Sequence, residues 1–296
     1  MLLLNASGCL DALTAPDVAR AFDAFVTKTI TPLPRQGNAP ARIAETDVGM
    51  LNAIGLANPG RDRFVTDVLP RLRLLGVPVW VSVGGFSAVD YSSTCAVLDV
   101  CDGVAAIELN LSCPNVDEAP ESAAEIVAAC RGQTTLPLYA KLSPALSDVA
   151  AVARAVEAAG ADGLSLVNTI RGLKLDPRTL QPVLSYGAGG LSGPALKPIA
   201  LAAVFACYRA TRLPIVGMGG VVSGDDALEL LAAGASAVAL GTVLFSDPEA
   251  PARIRAELAA ELALRSLSDV AEARGVAHRS AVANLAAANA PSKALS

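Results

Sequence analysis

Short apolar runs alternate with longer stretches of helical period along most of this chain, and that alternation restricts the possible folds more than any other feature. Strands that are each followed by a helix pair side by side as βα units in a parallel sheet. The runs are Leu2 to Asn5, Phe25 to Lys28, Val79 to Val83, Ile107 to Leu111, Leu138 to Leu142, Leu164 to Asn168, Ile215 to Met218 and Val238 to Leu240. Helices are expected over Ala15 to Ala24, Arg61 to Leu75, Ser87 to Leu98, Ala123 to Cys130, Asp148 to Ala159, Ala195 to Arg209, Asp225 to Ala233 and Asp247 to Leu264. About eight such units fit an α/β fold of one closed (β/α)8 TIM barrel better than an open sheet. No linker-like break interrupts the pattern, so residues 1–276 read as a single domain. Residues 277–296, rich in Ala, Asn and Ser, read as a frayed or disordered tail.

Three connections are long for this architecture: Thr29 to Asn58, Pro114 to Ser122 and Thr169 to Ser192. All follow expected strands, and loops leaving the C-terminal ends of barrel strands form the active face, where extra length usually covers a substrate.

Composition removes several function classes. In 296 residues, 53% are hydrophobic and 17% charged, which excludes disorder over most of the length. No apolar run approaches the roughly 20 residues that a membrane span requires. Met1 to Asn5 lacks a basic segment and is too short for a signal peptide, so a cytoplasmic protein is expected. Six cysteines without C-x-x-C spacing argue against a metal site, a disulfide scaffold and a cysteine-bound cluster. A net charge of -5 disfavours nucleic acid as a partner and leaves a small molecule. The single histidine, His278, lies beyond the last expected helix, so acid/base work falls to Cys, Lys, Tyr or a carboxylate.

One strand end stands out. Ile107 to Leu111 runs into Ser112-Cys113-Pro114-Asn115, where the proline stops the strand and leaves a thiol between two amides, Asn110 and Asn115. Free cysteine is usually a small buried hydrophobe, the reading kept for Cys9, Cys95, Cys101, Cys130 and Cys207. Cys113, at a strand end that opens to a cleft, is the candidate reactive thiol.

Other strand ends carry polar groups at the same height: Asn5-Ala6-Ser7-Gly8, Thr27-Lys28-Thr29, Ser82, Lys141 and Val167-Asn168-Thr169. A lysine in a strand is often a solvated edge residue, but Lys28 and Lys141 at the active end of one barrel would oppose an anionic ligand. Gly219-Gly220 and Gly241-Thr242 follow the last two strands, the usual place for phosphate in such barrels, although tight turns also use glycine. Gly189 to Gly193 adds a glycine-rich turn ahead of a helix that Pro194 can start.

With these residues placed, the chain resembles the dihydroorotate dehydrogenases. The likeness runs from Asn5 to about Pro248 and is carried by Asn110-Leu111-Ser112-Cys113-Pro114-Asn115, Asn52-Ala53-Ile54-Gly55-Leu56, Asn168-Thr169-Ile170-Arg171-Gly172 and Gly189 to Pro198. The resemblance implies an FMN-dependent (β/α)8 barrel that oxidises dihydroorotate to orotate in pyrimidine biosynthesis. Cysteine at 113 is similar to the soluble first class, and Asn168 to Lys174 with Gly190 to Pro194 resembles the class 1B catalytic subunit. That subtype works beside a subunit carrying FAD and an iron-sulfur cluster, so a homodimer or a heterotetramer with such a partner is expected.

By the same resemblance, Cys113 is the general base and Lys28 lies beside both substrate and flavin. Asn52, Ile54, Gly55, Leu56, Asn110, Asn115, Asn168 and Thr169 hold the pyrimidine and its carboxylate. Ala6, Ser7, Lys28, Thr29, Ser82, Asn110, Lys141, Val167 and Gly193 surround the flavin and its ribityl chain, and Gly219, Gly220, Gly241 and Thr242 take its phosphate. Two departures from the family pattern stand out. The family's hairpin ahead of the first barrel strand is missing, so the barrel bottom is expected to be covered by the C-terminal tail or by residues upstream of Met1. The segment Val116 to Pro120 is short for a flap over the base, which predicts a wetter thiol and weaker substrate retention. The rival readings are a dihydropyrimidine dehydrogenase-like flavin barrel and a non-catalytic flavin-binding homologue.

Overall fold

The computed structural model describes residues 2–111 and 123–279. The expected Cys113 and Asn115, the short flap and the tail beyond residue 279 lie outside the described residues. Among the described residues twelve strands are present: β1 (Leu2–Asn5), β2 (Phe25–Val26), β3 (Ile43–Thr46), β4 (Gly49–Asn52), β5 (Val79–Val83), β6 (Val104–Asn110), β7 (Leu138–Leu142), β8 (Gly163–Leu166), β9 (Ile170–Gly172), β10 (Gly189–Ser192), β11 (Ile215–Met218) and β12 (Ala237–Leu240).

Eight of them form one parallel sheet in the order β1-β12-β11-β8-β7-β6-β5-β2. The remaining seam, between β1 and β2, is joined by a bridge from Leu4 to Ala24. The Asn5 side chain completes it: Nδ2 donates to Val26 O at 2.8 Å, and Oδ1 accepts from Val26 N at 2.8 Å. An amide thus stands in for a ladder rung where β2 is only two residues long, and the sheet rolls into the expected (β/α)8 barrel.

Alternation along each strand sorts the core into two clusters. Leu3, Val81, Ile107 and Leu109 pack outward against the helices, whereas Leu4, Val26, Trp80, Ala106, Val216, Met218, Ala237 and Ala239 fill the barrel. Small alanines leave room for Trp80 and Tyr139, whose ring centroids are 4.4 Å apart. Gly163 must lack a side chain there, because a Cβ would meet the Tyr139 ring.

Most helices follow the expected spans, with side-chain caps at Ser87, Asp148 and Ser223. Two differ. The helix expected over Ala15 to Ala24 covers only Pro16–Arg20, and Ala24 instead bridges to Leu4 at the barrel seam. The stretch expected as a single helix from Arg61 is interrupted by a π-helical turn, Phe64–Val68, just ahead of Pro70, which has no N–H to donate. Near the end of the described chain, His278 stacks on Phe205 with centroids 4.0 Å apart. Among the described residues no helix is long and apolar enough to cross a membrane.

The second sheet corrects the expectation of plain loops. Thr29 to Asn58 and Thr169 to Ser192 contribute β3, β4, β9 and β10 to a four-stranded antiparallel sheet in the order β3-β4-β10-β9. Asn52 pairs with Gly190 and Leu51 with Leu191, which joins the two excursions into one structure. The glycine-rich turn read at 189–192 is itself strand β10, and Pro194 opens a 3-10 turn ahead of the helix Lys197–Ala210.

A charged cap ties two of the outer helices together. Asp226 closes a capping box with Ser223 at the start of the helix Gly224–Ala233, and its Oδ1 accepts from Lys197 Nζ at 2.6 Å. Burial alone would push this carboxyl up, but hydrogen bonds from Lys197, Val222 N and Ser223 hold it below the usual carboxylate range. Its contribution is therefore complete above the unfolded-state value near 4 and is lost as pH falls through the lower folded-state value. Asp226→Asn is expected to lower stability by about 2 kcal/mol at neutral pH. In urea denaturation, the gap from wild type should narrow as the pH drops below about 4.

Candidate active site

The C-terminal mouth of the barrel opens into a cavity of about 310 Å³. Its floor is charged. Lys141, near the end of β7, lies alongside β6 with its backbone in register with Asn110, and Glu108 pairs with Tyr139 one step below. Period-two alternation turns Lys141, Glu108 and Asn110 all into the barrel. Lys141 Nζ is 3.4 Å from Glu108 Oε1 and 3.4 Å from Ser7 Oγ, with the lysine and glutamate side chains only 5% and 2% exposed. Lys28, two residues beyond β2, lies over Gly8, where a Cβ would be 2.9 Å from Lys28 Cδ.

Above this floor runs a chain of hydroxyls and amides that crosses four barrel strands. Asn168 Nδ2 donates to Asn110 Oδ1 at 3.0 Å, and Asn110 Nδ2 donates to Thr29 Oγ1 at 3.2 Å. Thr29 Oγ1 shares a hydrogen bond of 2.9 Å with Ser82 Oγ. Tyr91 anchors the chain from outside by donating to Asn110 O at 2.7 Å, and Asn168 Oδ1 accepts from Thr169 N at 2.8 Å. Each amide is oriented by its neighbour, so the wall presents fixed polar groups rather than free rotors.

The opposite end is bare backbone. Gly193, Gly219 and Gly220 have φ of 101°, 121° and 77°. A Cβ on Gly220 would lie 2.8 Å from Lys197 N and 3.0 Å from Gly193 O. Thr242 Oγ1 donates to Ser192 Oγ at 2.8 Å beside Gly241. Such a wall lets main-chain groups approach an anion closely.

The antiparallel sheet supplies the cover. Asn52 Nδ2 donates to Gly190 O at 3.2 Å, and a Cβ at Gly190 would collide with Thr169 Oγ1. The adjoining turn holds Gly55 and Leu56 at φ of 72° and 56°, tied down by Asn38, which donates to Ala53 O at 2.9 Å.

The sequence model of the dihydroorotate dehydrogenase family matches residues 2–262, nearly the whole chain. The chain belongs to the dihydroorotate dehydrogenase family. Among its curated relatives, the catalytic subunit of dihydroorotate dehydrogenase B (NAD(+)) from Desulforudis audaxviator is 44% identical over 263 residues, covering 86% of each chain. The protein of the same name from Latilactobacillus sakei is 45% identical over 281 residues, 90% of this chain and 91% of the relative. That from Listeria monocytogenes serotype 4a is 41% identical over 287 residues, 92% and 94% respectively.

In this member of the dihydroorotate dehydrogenase family, eighteen of the site residues read from the sequence line the one cavity: Ala6, Ser7, Lys28, Thr29, Asn52, Ile54, Gly55, Leu56, Asn110, Lys141, Val167, Asn168, Thr169, Gly193, Gly219, Gly220, Gly241 and Thr242. Ser82 does not reach it. The residue is fully buried and acts on the wall only through its hydrogen bond to Thr29. Sequence reasoning passed over several groups at the site, among them the lining residues Arg171 and Tyr186, the buried Glu108 beneath the floor and Cys9. Glu108 carried the signal of a carboxylate inside an otherwise apolar strand. Cys9, read as structural, lines the cavity. Burial pushes its thiol up, against the pull of Lys141 and Lys28, so Cys9 is a neutral group at physiological pH. Cys95, Cys130 and Cys207 are fully buried, in keeping with a packing role.

Proposed function

We propose that this chain is the FMN-bearing catalytic subunit of a class 1B dihydroorotate dehydrogenase, oxidising dihydroorotate to orotate in pyrimidine biosynthesis. The observation that carries the reading is one cavity with an ammonium on its floor, a fixed amide wall on one side and a glycine wall on the other. FMN fits this donor set. Its phosphate matches the wall of Gly219, Gly220 and Gly241, where a side chain at Gly220 would strike backbone. Its polar ring edge matches Lys141, which lines the cavity.

Bound there, FMN supplies the hydride acceptor. Cys113 takes the proton from the ring carbon that loses it, as a thiolate formed from a thiol of ordinary pKa near 8.5. Lys28, Asn52, Asn110, Asn115, Asn168 and Thr169 hold the pyrimidine and its carboxylate, and the hydrogen bonds that link Thr169, Asn168 and Asn110 fix those amides before reaction. The antiparallel sheet limits water at the reacting face. The chain forms a homodimer or, with a partner subunit whose FAD and iron-sulfur cluster would take the electrons, a heterotetramer.

Purified protein that is yellow with FMN and bleaches anaerobically on addition of dihydroorotate supports the assignment. Yellow protein that stays yellow at mildly alkaline pH would mark a non-catalytic flavin-binding homologue. Colourless protein that takes up no FMN would overturn both. Co-purification with a second flavoprotein subunit tests the class 1B part separately.

A further inference from the structure

Glu108 is a carboxylate where the fold alone calls for none. It lies within β6, 1% exposed, on the face whose preceding inward residue is the small, apolar Ala106. Among the described residues its one ion-pair partner is Lys141, at 3.4 Å. A buried carboxylate is costly unless paired, and a barrel needing only volume here would be as stable with an apolar residue. Lys141 lines the cavity and Glu108 does not, so the ammonium stands between the carboxylate and whatever occupies the site.

We infer that Glu108 is a positioning residue: it fixes the Lys141 ammonium at the cavity floor and, by partly cancelling its charge, sets how strongly the site favours the charge its cofactor gains on reduction. The inference rests on the FMN reading above. The pair itself carries no net charge, but its positive end is nearer the cavity, so it adds a weak positive field at the ligand to that of Lys28, which also lines the cavity. Neutralising Glu108 leaves that positive end unopposed, whereas neutralising Lys141 reverses the sign of the pair's own contribution. The low dielectric of the floor makes either change large.

The test measures the midpoint potential of bound FMN by anaerobic titration against a reference dye, with no turnover required. Glu108→Gln is expected to raise the ratio of affinities for reduced over oxidised FMN about tenfold, an upward shift of about 30 mV for a two-electron couple. Lys141→Gln should lower the potential, and the double variant should lie above Lys141→Gln. A folded Glu108→Gln protein with a potential at or below wild type overturns the inference. If that variant does not fold, the two Lys141→Gln backgrounds decide, and a double variant no higher than the single one overturns it. Wild-type protein that binds no FMN sinks the cofactor reading and this inference together. Wild type that bleaches with dihydroorotate while Glu108→Gln keeps its potential sinks this inference alone.

Discussion

Cys113→Ala is expected to keep FMN bound and to slow its anaerobic bleaching by dihydroorotate about a thousandfold, read by stopped-flow absorbance. The expectation follows from the place of Cys113 at the end of an expected strand and from the role that the family resemblance implies for it. The only histidine, His278, is stacked on Phe205 and has its Nε2 2.9 Å from Ala233 O, and among the described residues the cavity lining contains no carboxylate. Lys141 is engaged with Glu108, and Cys9 is held as a neutral thiol by burial. Cys113, the thiol that follows β6 in the sequence, is the group to which the proposed function gives the carbon-bound proton. The wild-type rate should rise with pH as the thiolate fraction grows towards pH 8.5 and level off beyond it, and the residual rate of Cys113→Ala should lack that rise. Cys130→Ala is the matched control. Cys130 is fully buried, and its hydrogen bond with Cys95, together with burial, pushes its thiol up. Its loss should alter packing alone. Equal bleaching rates in wild type and Cys113→Ala would remove the thiol from the chemistry.

Barrel strands were legible in the sequence because each is a short apolar run closed by Gly, Pro, Asn or a charge, and β1, β5, β7 and β11 begin and end where the pattern places them. The cover sheet was not legible for opposite reasons. Its strand Ile43–Thr46 alternates exposed and half-buried positions, Ile170–Gly172 is three residues long, and Gly189–Ser192 opens with two glycines that normally read as a turn. Their pairing is set by contacts across more than a hundred residues, such as Asn52 with Gly190, which local propensity does not encode. Lys28 shows a subtler gap. It continues an apolar strand in sequence, yet β2 ends at Val26, and the side chain is placed by crossing Gly8. Glu108 was hidden by its own context, since a single charge in an alternating run reads as the solvent face, whereas inside a barrel that face is the interior.

Gly220→Ala is expected to weaken FMN binding at least a hundredfold, about 2.7 kcal/mol, while leaving a folded barrel. Two effects combine at this residue. At φ of 77° an L side chain is itself unfavourable by roughly 1–2 kcal/mol. The new Cβ would also lie 2.7 Å from Lys197 Cβ and 2.8 Å from Lys197 N, so the segment joining Gly193 to the helix Lys197–Ala210 must move away. That segment and Gly219-Gly220 form facing parts of the wall assigned to the phosphate, so a displacement that relieves the clash opens the anion site. Gly76→Ala separates the two effects. Gly76 has a nearly identical φ of 76°, but a Cβ there would meet nothing within 4 Å, and the residue lies outside the cavity lining. Both variants should lose a similar increment of thermal stability from backbone strain, and Gly220→Ala alone should lose FMN on gel filtration. Retention of FMN by Gly220→Ala with wild-type affinity would show that the phosphate is held elsewhere. The wall at 193, 219 and 220 would then be glycine for the close packing of the helix Lys197–Ala210 against β11, not for a ligand.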